Sequence, residues 1–259
     1  MAERRRIGPL PGVSPLPWRL RSRSVCASTE WELDRWLAAA AASSSAPPLP
    51  LAVLAAQQRC GHGQQGRLWH SPPGGVWLSA ALPWPQQAAT AAAPALAVAV
   101  ALVRELQPLL DRWGAARLAI KWPNDLMVCE GAPPPRKLAG LLPRLRLRGD
   151  RVRWVRVGVG LNGCNRVPAG AISLAQLAPG RGHGWLSPPR LAARVLRALE
   201  EAAARAVEAE AVRRDAEALL LRELPVWLEG EPWQPAGLAL DGRLRLVCGD
   251  RERWLDRRF

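Results

Sequence analysis

Polar, glycine-bearing segments alternate with apolar runs through the middle of this 259-residue chain, and this alternation limits its fold more than any other feature. Residues 57–75 are polar and rich in glycine, and residues 76–82 then read as a strand. Residues 152–159 alternate into a buried strand that ends in Gly-Val-Gly-Leu-Asn at 158–162. Glycine lets the backbone approach a ligand and supplies N–H groups to anions. The pattern therefore predicts strands flanked by loops that can wrap around a small ligand.

Both lysines of the chain lie in one segment between these strands. Of 36 basic residues, only Lys121 and Lys137 are not arginine, in the motifs Lys-Trp-Pro-Asn-Asp (121–125) and Arg-Lys-Leu-Ala-Gly (136–140). An ammonium is a compact point charge that suits a single crowded oxyanion, whereas a guanidinium is a planar fork. In a chain that uses arginine everywhere else, this choice indicates chemistry, and Lys137 is the principal candidate.

Four ordered motifs together resemble the catalytic domain of biotin protein ligases. They are the loop Gly-x-Gly-x-x-Gly-Arg-x-Trp-x-Ser-Pro at 61–72, Lys-Trp-Pro-Asn-Asp, Lys-Leu-Ala-Gly and the Gly-x-Gly-x-Asn strand end. The resemblance extends from about residue 25 to residue 174 and weakly into the C-terminus. Four motifs in this order are far more specific than any single glycine pattern.

The resemblance implies a two-step reaction with ATP and biotin as substrates and Mg²⁺ as the metal ion. Biotin attacks the α-phosphorus of ATP to give biotinyl-5′-adenylate, and a lysine of a biotin carboxyl carrier protein, that of acetyl-CoA carboxylase, then attacks the mixed anhydride. Two anions must meet first, so catalysis depends on neutralising charge and on positioning. The implied catalytic residues are Lys137, which holds carboxylate and phosphate oxygens, and Asp125, which activates the acceptor or binds Mg²⁺.

The resemblance also implies binding residues for each substrate. The residues implied for biotin are Ser28, Thr29, Gln58, Gly61, His62, Gly140 and Gly158. Those implied for ATP and the adenylate are Gln64, Arg67, Trp69, Asn124, Lys137 and Asn162, with Trp69 stacking near adenine. No residue is assigned to a resident metal. Ser28 or Thr29 can also serve as the cap of a following helix, and the two roles are compatible.

The expected fold is α+β: a mixed, largely antiparallel sheet with helices mainly on one face, plus a small C-terminal β-barrel-like module. We divide the chain into a flexible leader (1–17), a catalytic domain (18–222) and the C-terminal module (223–259), in which Asp-Gly at 241–242 predicts a hairpin turn. The other expected elements are a linker at 38–50, helices at 88–110, 189–208 and 211–221, and an antiparallel pair of strands at 138–147 and 151–159.

Composition narrows the class of protein. Hydrophobic residues make up 49% and charged residues 22%, which is ordinary for a folded soluble protein. Five scattered cysteines without a Cys-x-x-Cys pair support neither a disulfide framework nor a zinc site, and they fit the cytoplasm. The apolar run 88–103 is too short to cross a membrane. A net charge of +14 comes from dispersed arginines, and about 24 residues precede the first motif, too few for a helix-turn-helix, so no specific nucleic acid is expected.

Two rival functions stay open. A lipoate or octanoate transferase shares the fold class, although an Arg-x-x-Gly-Gly-Gly loop would be expected there. A non-enzymatic basic binding protein on a ligase scaffold is the second rival, because His62 and Gln64 stand where many family members have arginine. A dinucleotide site at 158–163 is excluded, because no helix opens at the third glycine and no acidic residue lies near position 180. Monomer and homodimer are equally open.

Overall fold

A computed structural model describes residues 15–43, 49–85, 87, 91–114, 116–131, 134–178 and 186–256. These residues form a large eight-stranded sheet, a smaller four-stranded sheet and five α-helices. Most of the predicted leader (residues 1–14), part of the predicted linker (44–48) and the start of the predicted helix (88–90) lie outside the described residues.

The large sheet is mixed and almost entirely antiparallel. Its order is β1-β2-β4-β8-β7-β6-β5, with β3 paired to β2, and only the pair β1/β2 is parallel. The strands are β1 (Arg19–Cys26), β2 (Leu51–His62), β3 (Leu68–Ser71), β4 (Val76–Leu82), β5 (Arg117–Lys121), β6 (Asp125–Cys129), β7 (Arg136–Arg148) and β8 (Arg151–Leu161).

Strand periodicity divides the sheet into two faces with different roles. On β8 the residues Val155, Val157 and Val159 are buried against helices, whereas the intervening positions include Gly158 and Gly160. Successive side chains of a strand point to opposite faces, so the glycines share the face away from those helices. One face is therefore a hydrophobic core and the other a glycine-lined surface.

The helices are unequally shared between these faces. They are α1 (Thr29–Ser43), α2 (Pro94–Asp111), the single turn α3 (Leu174–Leu177), α4 (Pro188–Ala204) and α5 (Ala209–Ala218). The helices α2, α4 and α5 pack together, and their apolar side chains join the core beneath the valine face of β8. In contrast, α1 packs on the glycine-lined face, where Leu33 contacts Leu51, Val53 and Ala81.

The C-terminal segment forms an open antiparallel sheet. Its strands are β9 (Val226–Leu228), β10 (Glu231–Leu238), β11 (Leu244–Cys248) and β12 (Arg251–Leu255), in the order β12-β11-β10-β9. The expected turn at Asp241-Gly242 lies between β10 and β11. The α+β class is confirmed, but the module is not a closed barrel, since β9 and β12 are its two free edges among the described residues.

Two predicted boundaries were wrong for identifiable reasons. Residues 38–43 continue α1 where a linker was expected, because a run of alanine is the best helix-forming composition. The helix expected from residue 88 begins at Pro94, which occupies the first turn, where its missing N–H leaves no intrahelical bond unmade. The antiparallel pair β7/β8 is confirmed, joined at residues 149–150.

Candidate active site

A cavity of about 450 Å³ opens on the glycine-lined face of the large sheet, beside the start of α1. Its walls come from α1, the glycine loop after β2 and the strands β2, β3, β4, β6, β7 and β8. Thirteen of the fourteen residues predicted from the sequence line it: Ser28, Thr29, Gln58, His62, Gln64, Arg67, Trp69, Asn124, Asp125, Lys137, Gly140, Gly158 and Asn162. Residues from five separate segments thus converge on one site.

A row of glycines forms the floor of the cavity. Gly140 on β7 pairs with Gly160 on β8, and Leu142 pairs with Gly158 one pleat further along. The indole of Trp69 occupies the space that these glycines leave. A Cβ on Gly160 would lie 2.5 Å from indole atoms of Trp69, and one on Gly140 would lie 2.8 Å from them. The glycines are therefore required for the close approach of Trp69.

One end of the cavity carries the paired charges. Lys137 Nζ lies 2.7 Å from Asp125 Oδ1, and their side chains are 31% and 21% exposed. The same ammonium lies 4.8 Å from the centroid of the Trp69 ring. Both side chains are partly exposed and line the cavity, so an incoming anion can reach the ammonium from there.

Two buried asparagines hold the backbone around Lys137. Asn124 Nδ2 donates to Leu141 O (2.6 Å), and Leu141 N donates back to Asn124 O (2.8 Å). Asn162 Nδ2 contacts Lys137 O at 3.4 Å, and its Oδ1 accepts from Asn165 Nδ2 at 3.1 Å. Their amides therefore have partners within the protein, and both residues position β7. Direct contact of either residue with a nucleotide stays a prediction.

Hydroxyl and amide groups surround the opposite end. Thr29 donates to Gln58 Oε1 from its N (2.7 Å) and its Oγ1 (2.9 Å), and Thr29 Oγ1 lies 2.8 Å from Ser79 Oγ. Gln58 Nε2 donates to Ser71 Oγ at 2.9 Å. Ser28 Oγ accepts from Glu30 N at 3.2 Å, so it does cap α1. This network fixes several hydrogen-bonding groups at the cavity wall.

The glycine loop covers the cavity from β2. His62 lies near Trp31, with ring centroids 5.0 Å apart, and Gln64 begins a short turn in which Gln65 and Gly66 have positive φ. Gly61 is the one predicted residue that does not line the cavity. A Cβ there would lie 2.6 Å from Trp69 O, so this glycine serves the pairing of β2 with β3.

Several polar atoms around the cavity are buried without a hydrogen-bond partner among the described residues. Besides Glu30 Oε2 and Asp125 Oδ1, which each face an ion-pair partner, they are Glu30 Oε1, His62 Nδ1, Gln64 Nε2 and Trp69 Nε1. Buried polar groups in native proteins are almost always satisfied, and each exception needs an explanation. A bound ligand that supplies the missing partners is the natural one, because all four residues line the same cavity.

Among the lining residues that the sequence did not predict, three bear on the chemistry of the site: Gly160, Ser79 and Glu30. Gly160 lies two positions after Gly158 and therefore on the same face of β8. Strand alternation in the sequence could have predicted this residue. Ser79 could not be singled out, because its role comes from pairing opposite Gly158 across β4 and β8. Glu30 follows the predicted Ser28-Thr29 pair directly, yet only the fold shows its carboxylate at the cavity.

The described residues contain no group of three or more histidine, cysteine, aspartate or glutamate side chains that could hold a metal ion by themselves. Asp125 is the one carboxylate near Lys137 in the cavity. Mg²⁺ usually takes one or two carboxylates together with substrate phosphates and water. The residues present therefore fit a metal that arrives with a nucleotide better than a resident one. Within the same described ranges, no helix has the length and apolar character needed to cross a membrane.

A model of the biotin/lipoate A/B protein ligase family matches residues 29–162, just over half of the chain. The chain belongs to this family. The match runs from Thr29 at the start of α1 to Asn162 after β8, and so spans most of the cavity wall. A biotin--[acetyl-CoA-carboxylase] ligase of Paracoccus denitrificans is 40% identical over 121 residues, which are 46% of this chain and 47% of that protein. The chain spans only 32% to 56% of the length of the curated relatives that it matches.

Two solved structures share the fold. A biotin protein ligase from Aquifex aeolicus in complex with biotin and ATP superimposes with a TM-score of 0.68 at 20% identity, covering 92% of this chain and 95% of that one. A biotin protein ligase from Leishmania major in complex with biotinyl-5-AMP gives a TM-score of 0.60 at 21% identity, covering 94% of this chain and 100% of the other.

Proposed function

We propose that this protein ligates biotin to a specific lysine of a biotin carboxyl carrier domain, using ATP and a biotinyl-5′-adenylate intermediate. The observation that carries this proposal is the division of the cavity into three zones. Hydrogen-bonding groups surround Thr29, the Trp69 indole lies over a glycine floor, and the ammonium of Lys137 stands at the other end. Biotin has the same sequence of parts: a polar ureido head, an apolar middle and a carboxylate.

In the first step, a biotin carboxylate oxygen bonds to the α-phosphorus and the bond to the β-phosphate bridging oxygen breaks, releasing pyrophosphate. Both reactants are anions, so the barrier includes their mutual repulsion. Lys137 Nζ would contact oxygens of both groups and reduce that repulsion, because a preorganised charge in a partly desolvated cavity is worth more than in water. Asn124 and Asn162 act by holding β7 and the Lys137 backbone in place.

In the second step, an acceptor lysine amine bonds to the acyl carbon and AMP leaves with the bonding electrons. The acceptor ammonium must lose one proton to water to become a neutral amine before it attacks, and it loses a second proton, to water or to the leaving AMP, as the amide forms. Asp125, 2.7 Å from Lys137 Nζ, is the carboxylate placed to hold this incoming amine near the reacting carbon. Where Mg²⁺ accompanies ATP, Asp125 is also the residue that would hold it, and the ion would add positive charge beside the phosphates.

The acceptor we propose is the biotin carboxyl carrier protein of acetyl-CoA carboxylase, the substrate in the name of the Paracoccus denitrificans relative. We also place the reaction in the cytoplasm. The five cysteines of the chain are free. Burial raises the pKa of the Cys26, Cys129 and Cys164 thiols, so these thiols stay protonated at neutral pH. Unpaired thiols persist in reducing compartments.

Pyrophosphate exchange tests the proposal directly. Purified protein with ATP and Mg²⁺ should exchange labelled pyrophosphate into ATP when biotin is added, and mass spectrometry should then show one biotinyl group on the carrier lysine. Lipoate and octanoate provide the comparison within the family. Exchange with either of these acids and none with biotin would favour the transferase rival, and no exchange with any acid would favour the binding-protein rival.

A further inference from the structure

Glu30 places a buried carboxylate at the end of the cavity that is remote from Lys137. The residue is 8% exposed and lines the cavity beside Ser28 and Thr29. Two features of the fold determine the position of this residue. It lies in the first turn of α1, and it faces Gly158 on β8, where a Cβ would lie 3.1 Å from Glu30 Oε1. Because position 158 has no side chain, Glu30 Oε1 can lie close to β8 there.

The two oxygens of this carboxylate have different surroundings. Oε2 lies 3.1 Å from Arg156 Nε as an ion pair, which compensates part of the charge in the protein interior. Neither oxygen has a hydrogen-bond partner among the described residues, and Oε1 is the one that faces the space above Gly158. An ionised carboxylate can only accept, so the unmet demand is for a donor. A buried acceptor left without a donor is destabilising, because nothing compensates the loss of its hydrogen bonds to water.

Two neighbouring side chains, Thr29 and Gln58, already have hydrogen-bond partners of their own. Thr29 Oγ1 is within hydrogen-bonding distance of Gln58 Oε1 and Ser79 Oγ, and Gln58 Nε2 donates to Ser71 Oγ. Arg156 has a second carboxylate partner, Asp34, on the outer side of α1. Glu30 lines the cavity, so a donor on a bound ligand can meet this acceptor from that side.

We propose that Glu30 Oε1 accepts an N–H of the ligand head group, and that this carboxylate makes the cavity selective for heads that carry N–H donors. The inference rests on the proposed function and adds to it a determinant of specificity. Gly158 and Gly160 lie on the same face of β8, one pleat apart, or about 6.6 Å. A ligand with its carboxylate at Lys137 and its apolar middle against Trp69 therefore brings its head toward Gly158 and Glu30. Lipoate and octanoate carry no N–H there.

The test compares biotin with 2-iminobiotin, whose cyclic guanidine is protonated at neutral pH and replaces the neutral urea. Titration calorimetry on the purified full chain would measure both ligands with the wild type, with Glu30→Gln and with Asp34→Asn. Glu30→Gln keeps the shape of the side chain and removes its charge. Asp34→Asn is the matched control, because it removes the other carboxylate from the same arginine on a side chain that is 52% exposed.

Glu30→Gln should weaken biotin binding by about tenfold, since a charge-assisted hydrogen bond is roughly twice as strong as a neutral one. It should weaken 2-iminobiotin by at least a further fivefold, while Asp34→Asn should change either by less than about twofold. If Glu30→Gln does not fold, Glu30→Gln combined with Arg156→Gln replaces the ion pair by an amide pair and is measured instead. Equal binding of both ligands to wild type and variant overturns the inference. So does an equal loss for both ligands that Asp34→Asn reproduces. A wild type that binds no biotin refutes the proposed function itself.

Discussion

Adding one methyl group at Gly160 should displace Trp69 from the cavity. A Cβ at this position would lie 2.5 Å from the Trp69 atoms Cε2 and Nε1 and 2.7 Å from Cζ2. Ordinary carbon contacts are about 3.5–4.0 Å, so the indole has to retreat by about 1 Å or more. Gly160 lies within β8 and does not have a positive φ, so alanine fits its backbone. The clash with Trp69 is therefore the main effect that Gly160→Ala has on the folded protein.

The expected magnitude follows from this geometry. Overfilling a packed site is destabilising by about 1–3 kcal/mol. For a chain of this size each kcal/mol lowers Tm by about 2–4 °C, so Gly160→Ala should melt about 4–8 °C lower for a change near 2 kcal/mol. Biotin affinity should fall by about tenfold or more, because the displaced indole no longer forms the apolar wall of the cavity.

A double-mutant cycle isolates the contact. Thermal or urea unfolding would be measured for wild type, Gly160→Ala, Trp69→Ala and the double variant. Without the indole, Gly160→Ala should be neutral or stabilising by about 0.4–1 kcal/mol, because alanine restricts the unfolded chain. Gly237→Ala on β10 is the matched control, with its nearest contact at an ordinary 3.4 Å. An equal loss from Gly160→Ala with and without Trp69 would refute the reasoning.

Three further predictions concern catalysis. Lys137→Ala should lower biotin-dependent pyrophosphate exchange by about 10²–10³, as loss of one charge-stabilising donor does, while the melting temperature stays close to that of Lys121→Ala, the only other lysine variant available. Arginine at both His62 and Gln64 should slow escape of the adenylate in a chase experiment, because charge-assisted hydrogen bonds to phosphate are stronger than neutral ones. Carrier biotinylation below saturation should fall with added salt more than adenylate formation does, because a net charge of +14 would steer an acidic partner toward the enzyme.

Each of these has a contrary result. Near-normal exchange by Lys137→Ala would remove that residue from the chemistry, whereas a matching loss in Lys121→Ala would point to damage of the shared sheet. An unchanged escape rate after both arginine substitutions would show that the glycine loop does not contact the phosphate. Salt effects of equal size on both steps would place the positive charge outside carrier recognition.

The glycine-lined strands and the two lysine motifs could be recognised in the sequence, because each is defined by residues that are neighbours along the chain. Alternation predicts which face of β8 is buried, and Gly158 was named because the resemblance to biotin protein ligases implies room for biotin there. The fold class followed from the same pattern. Local composition also misled in one place: the alanine run at 38–43 was taken for a linker, although alanine favours helix.

Contacts between distant segments were not readable. Glu30 and Arg156 are far apart in sequence. They meet only because α1 packs on the glycine-lined face of the sheet, close to β8. The pairing of Ser79 opposite Gly158 depends in the same way on strand order, which a single sequence does not reveal. Gly61 is a different case, and its predicted contact with biotin stays a prediction. Close strand pairing with Trp69 is by itself a sufficient reason for a glycine at this position.

The structure gives a physical reason why position 137 is lysine in a chain that otherwise uses arginine. Its Nζ is confined between Asp125 Oδ1 at 2.7 Å and the Trp69 ring at 4.8 Å, and a Cβ added at Gly140 would lie 3.3 Å from its Cε. A guanidinium is a rigid plane with its donors spread over five N–H groups, and it would have to enter the space held by the indole. Lys121 has no comparable confinement: it is exposed at the end of β5, and nothing in the structure explains its identity. The structure therefore explains the choice of lysine over arginine at position 137 but not at position 121. At position 137 the crowding of the cavity selects lysine, since arginine would supply the same positive charge.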